Sequence, residues 1–83
     1  MQKWLKCSVD RGMFSDEVAV TYPAEGTALT SVFVPLTEVR GTLGGPGLVR
    51  VRVARGVNAT LAILPTCYQD SVPVSEADLL EMS

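Results

Sequence analysis

The chain has 83 residues, seven Lys+Arg against nine Asp+Glu, a formal charge of −2 and no histidine. With 47% apolar residues it is too hydrophobic and too weakly charged to be disordered, yet no run approaches the roughly 18 apolar residues of a membrane span. The missing imidazole removes the commonest general base, along with Ser-His and Cys-His nucleophilic sites.

Side chains alternating with period two dominate the chain. In Trp4-Leu5-Lys6-Cys7-Ser8-Val9, the residues Leu5, Cys7 and Val9 share one face, with Lys6 and Ser8 on the other. Asp10-Arg11-Gly12 signals a turn. Beyond Met13-Phe14 and Ser15-Asp16-Glu17, a second strand over 18–22 turns Val18, Val20 and Tyr22 one way. A break over 23–27 precedes a third strand over 29–34, which Pro35 ends. Residues 36–43 read as a short helix or an irregular link, with Gly41 against a long helix. Gly44-Gly45-Pro46-Gly47 reads as a turn. The next strand, 48–54, points Val49, Val51 and Val53 inward and Arg50 and Arg52 outward. It turns at 55–58 and returns over 59–64 as a hairpin.

Ser71-Val72-Pro73-Val74 reads as a short edge strand, because Pro73 brings no ladder donor. In the tail, Ser75 caps a short helical turn with Asp78 three residues on, and Val74 and Leu79 occupy the hydrophobic-staple positions. That turn would present Leu79, Leu80 and Met82 as an apolar surface. The elements add up to an all-β, mainly antiparallel domain over residues 1–83. It is a small SH3-like barrel of five to six short strands with a short C-terminal helical turn, and no repeat is evident. Closing the sheet into a barrel protects its edges.

A domain of this size has little room for a deep pocket, so the expectation is a non-enzymatic chain without cofactor or metal. The two cysteines, Cys7 and Cys67, read as small buried hydrophobes, with a disulfide between them or a reactive thiol as the other possibilities. The N-terminus meets Asp10 and Arg11 too soon for a signal-peptide core, so the expected setting is cytoplasmic with no membrane contact. The glycine loop at 41–47 lacks the spacing and the lysine of a phosphate cradle.

Two surfaces are candidates for function. Trp4 and Phe33 stand opposite the inward residues of their strands and, with Leu79, Leu80 and Met82, are candidate contacts for a protein partner, a second copy of the chain included. Arg50 and Arg52 stand about 6.6 Å apart on one strand face. With Arg55 they are candidate contacts to nucleic-acid phosphates. All seven basic residues lie at or before Arg55, and Lys3, Lys6, Arg11 and Arg40 are their possible neighbours.

One stretch resembles a known family. Val32-Phe33-Val34-Pro35, then Glu38-Val39-Arg40, then Thr42-Leu43-Gly44, then Pro46-Gly47 and the strands 48–53 and 59–64 are similar to the swapped-hairpin domain of AbrB/MazE-type regulators and antitoxins. The resemblance covers about half the chain. It implies a strand, a short helix ending at Leu43-Gly44, a Pro-Gly turn and a hairpin. It also implies DNA binding as an intertwined dimer, with an acidic tail that meets a toxin. The chain departs from that pattern by one extra residue before Glu38, by Gly41, by an uncharged 28–31 segment and by residues 1–25, which have no counterpart. The leading expectation is therefore a protein-interaction module acting as accessory subunit, adaptor or inhibitor; a nucleic-acid-binding regulator or antitoxin is second.

Overall fold

A computed structural model describes residues 1–22, 30–66 and 69–82. The alternation folds as antiparallel strands: β1 (Gln2–Arg11), β2 (Glu17–Tyr22), β3 (Thr30–Pro35), β4 (Val39–Gly41), β5 (Gly45–Arg55), β6 (Thr60–Ile63), β7 (Ser71–Val74) and β8 (Leu79–Glu81). They form one strongly curled half-barrel sheet in the order β3-β2-β1-β5-β6-β7, and a small SH3-like barrel is compatible with it. The inward residues of the pattern are the core: Leu5, Cys7 and Val9 of β1, Val18, Val20 and Tyr22 of β2, and Val49 and Val51 of β5 are all buried. The break at 23–27, Leu29, Cys67 and Tyr68 lie outside the described residues, and with Cys67 so does the disulfide alternative.

Asp10 and Arg11, expected to start a turn, continue β1 opposite Ala19 and Val18, and three further expectations change. First, Gly45-Pro46-Gly47 belongs to β5. The turn sits two residues earlier, where the Gly45 N–H donates to the Thr42 carbonyl at 2.9 Å and Gly44 takes a φ of 81°. Gly47 is in the strand because three strands crowd there. It pairs with Cys7 on one side and Gly41 on the other, and any Cβ on it would strike the Val9 side chain and the Arg40 carbonyl.

Second, the 36–43 link is neither helix nor irregular. A single 3-10 turn, Leu36–Glu38, leads into β4, which pairs with the outer edge of β5. Third, the C-terminal turn is likewise one 3-10 turn, Glu76–Asp78, with Ser75 Oγ accepting the Ala77 N–H at 3.2 Å. Leu79 and Leu80 are not on a helical surface. They lie in β8, which pairs with the edge of β1 left open beyond β2. Val74 and Leu79 do act as a staple, both buried in the same core. Among the described residues β4 and β8 bring the strand count to eight.

The order of elements contains a repeat that is not evident in the sequence. Each half runs long strand, strand, strand, 3-10 turn, short strand: β1 to β4, then β5 to β8. The two long strands pair antiparallel through Leu5 and Val49, and each half lends its last strand to the other: β4 joins β5, and β8 joins β1. Applying the registers to both halves makes Leu5 equivalent to Val49, Cys7 to Val51, Val20 to Ala62, Tyr22 to Leu64 and Val34 to Val74. Every member of these pairs is buried. The fold is a pseudo-two-fold arrangement about the Leu5–Val49 pair, with the swapped short strands tying the halves together.

Candidate functional site

The convex face of the sheet carries four of the seven basic residues, Lys6, Arg40, Arg50 and Arg52. Lys6, Leu48 and Arg40 form one row across β1, β5 and β4, and Leu80, Trp4 and Arg50 form the next across β8, β1 and β5. The Arg40 and Arg50 guanidiniums lie over the Trp4 ring, at 5.1 and 5.9 Å from its centroid, where the ring's negative face attracts them. Trp4 is thereby buried, and it is not an open contact for a partner. Arg50 pairs with Glu38 at 3.3 Å, and Arg52 donates to Gln69 Oε1 at 3.3 Å. Of the basic neighbours expected on this face, Lys6 and Arg40 join it, whereas Arg11 lies at the far end of β1, opposite Val18. Lys3 instead turns to Glu81, 2.7 Å away, and fastens β8 to β1.

Arg55 is not part of the arginine face. It stands at the far end of β5 and holds both carboxylate oxygens of Glu76 at 3.0 Å, while Thr60 Oγ1 donates to the same carboxylate at 2.7 Å. The Arg55 guanidinium, with Thr60 second, pulls the Glu76 carboxyl down to about 2. This clamp ties the second 3-10 turn to the β5–β6 hairpin. Arg55 acts structurally here, with Nε and Nη2 on the Glu76 carboxylate and Nη1 turned to Met1 Sδ.

The expected apolar contacts separate. Leu79 is buried under the sheet and Met82 is half-buried, because β8 packs the tail against β1 instead of projecting it. Leu80 and Phe33 remain exposed, Phe33 by 49% on the convex side of β3. Cys7 is buried and its thiol is pushed up to about 11 by desolvation, which leaves little thiolate for chemistry. Among the described residues no group of three His, Cys, Asp or Glu gathers as metal ligands would, and no helix is long and apolar enough to cross a membrane.

The most exposed apolar cluster is one that strand periodicity does not single out. Met13 and Phe14 at the tip of the β1–β2 hairpin, Leu36 of the first 3-10 turn and Leu43 of the β4–β5 turn line one hollow at the end of the molecule. They are 75%, 68%, 50% and 51% exposed. Glu17 borders the hollow and accepts the Met13 N–H at 3.0 Å, which fixes the hairpin tip. The pseudo-two-fold offers an internal comparison. Leu36 corresponds to Glu76 and Arg11 to Arg55, so where one end of the molecule closes with the Arg55–Glu76 clamp, the other sets Arg11 against exposed aliphatic and aromatic side chains. The sequence signal for this cluster is Met13-Phe14 inside a turn, where polar residues are the rule.

No protein-family model, curated protein or solved structure matches the chain. The segment that the AbrB/MazE resemblance makes helical is the 3-10 turn and β4.

Proposed function

We propose that this small β-barrel, of SH3-like type, is a non-enzymatic protein-interaction module, an accessory subunit, adaptor or inhibitor working in the cytoplasm. The observation that carries the reading is the exposed cluster Met13, Phe14, Leu36 and Leu43. Burying one such side chain is worth about 1.5–3 kcal/mol, and clustered exposed apolar groups of this kind characterise interaction sites. Arg11 and Glu17 both line the hollow, so the partner that fits is a folded protein offering aliphatic side chains within a rim of mixed charge. The test is affinity capture followed by a binding titration. Wild type and Arg50→Ala/Arg52→Ala retain the same partner, whereas Phe14→Asp/Leu36→Asp weakens it at least about 30-fold at unchanged thermal stability. Full affinity in the doubly acidic variant overturns the reading.

A second reading, a nucleic-acid-binding regulator of the AbrB/MazE kind, is favoured by Lys6, Arg40, Arg50 and Arg52 sharing one face of β1, β4 and β5. It requires binding to duplex DNA or RNA that weakens with salt. In Arg50→Ala/Arg52→Ala the log-log salt slope would fall by about one for each phosphate that is no longer neutralised. An absence of binding at low salt removes it.

A further inference from the structure

We propose that β3 is the docking edge for a second copy of this chain, pairing antiparallel with its own counterpart about Phe33. The inference stands apart from the apolar end and rests on the backbone of the sheet's outer strands. β3 and β7 are the two ends of the strand order and occupy equivalent places in the two halves. The Leu36 N–H donates to the Asp16 carbonyl at 2.9 Å in continuation of the β2–β3 register. Bonding alternates along an antiparallel pair, so Val32 and Val34 bond to β2, while Ser31, Phe33 and Pro35 aim their peptide groups away from the sheet. The Leu64 N–H donates to the Asp70 carbonyl at 2.8 Å in the β6–β7 register, which likewise turns Ser71 and Pro73 outward.

The two edges differ at the position that matters. Pro73 corresponds to Phe33, so β7 lacks an outward N–H at its centre, a common protection against edge pairing. At the equivalent place β3 keeps an N–H and adds a half-exposed aromatic ring. Among the described residues no backbone group bonds to the outward side of Ser31 or Phe33.

The occupant that fits is the same strand, reversed. With the two-fold axis at Phe33, the Phe33 N–H of each copy donates to the Phe33 carbonyl of the other. Each Ser31 N–H donates to a Pro35 carbonyl, and the missing N–H of Pro35 leaves only the Ser31 carbonyl in water. The two rings then share a face about 5.5 Å apart at their Cα atoms. β3 carries no charge, and the acidic pair Asp16-Glu17 lies beside its Pro35 end. Antiparallel pairing separates the two Pro35 ends by about 14 Å along the strands, beyond the roughly 8 Å screening length of physiological salt. A parallel arrangement would set the acidic pairs side by side.

Sedimentation equilibrium from about 1 μM to about 1 mM, with amide exchange followed by NMR on the full chain, tests the proposal. Wild type converts from monomer to dimer as concentration rises. The Ser31 and Phe33 amides slow at least about tenfold in the dimer, since they become hydrogen-bonded. Phe33→Pro, which copies Pro73, stays monomeric with an unchanged circular-dichroism spectrum. Phe33→Lys, which keeps the N–H and sets like charges together, does the same and serves if the proline variant fails to fold. A chain that is monomeric throughout overturns the proposal. So does a dimer whose Ser31 and Phe33 amides exchange freely, or one that survives Phe33→Lys and dissolves on Phe14→Asp, which would place the second copy on the apolar end.

Discussion

Gly47 shows how one missing Cβ sets the local architecture. It lies where β1, β5 and β4 cross, and Gly41 beside it takes a φ of 138° that L side chains rarely adopt. Gly47→Ala is expected to destabilise by about 1–3 kcal/mol, the usual cost of overpacking, because Val9 and the Arg40 carbonyl must yield. Chemical denaturation measures this, and an unchanged midpoint refutes the crowding. Cys7 makes the opposite point: a thiol chemically capable of attack is made inert by burial. In a Cys67→Ser background, native alkylation of Cys7 is expected to be slow and to accelerate only on unfolding. Rapid labelling of the folded protein would show that the thiol is accessible.

The short elements hold the sheet's ends. Neither 3-10 turn is long enough to be stable alone, and each hands the chain to a three-residue strand that closes an open edge. The second turn is fastened by the Arg55–Glu76–Thr60 clamp, and this gives a pH signature. Glu76 is held at about 2, below the ordinary value near 4.5, so its contribution is complete above about pH 4.5 and disappears as pH falls through about 2. Wild type should therefore exceed Glu76→Gln in Tm by a constant margin at neutral pH, and the margin should shrink between pH 4.5 and 2. A margin independent of pH would mean that the clamp does not act through the carboxylate charge.

At the level of the whole chain, the swapped strands make the halves interdependent. Without β8, the open edge of β1 at Lys3–Leu5 has no partner, and without β4 that of β5 has none at 47–49. A cut between Leu43 and Gly44 falls in an exposed turn. Peptides 1–43 and 44–83 are each expected to be unfolded alone and to recover the β spectrum of the intact chain when mixed. Independent folding of either peptide would show that the swap is dispensable. The same symmetry explains why the molecule has two unlike ends: equivalent backbone positions hold Leu36 and Glu76, or Phe33 and Pro73, so the differences between halves mark surface rather than scaffold.

Alternation alone carries the all-β architecture, the inward valines, the β5–β6 hairpin and the edge character of β7, because side-chain direction in a strand follows residue parity. The repeat is legible only in fragments. Val9-Asp10-Arg11-Gly12 returns as Val53-Ala54-Arg55-Gly56, and Ser31-Val32-Phe33-Val34 as Ser71-Val72-Pro73-Val74, but unequal loops change the spacing between the two matches and hide any fixed period. Which arginines share a face, which carboxylate occupies Arg55, that Trp4 lies beneath two guanidiniums and that Met13, Phe14, Leu36 and Leu43 meet at one end are settled by the tertiary structure. Each depends on pairing between strands distant in the chain, and parity within one strand says nothing about its neighbours.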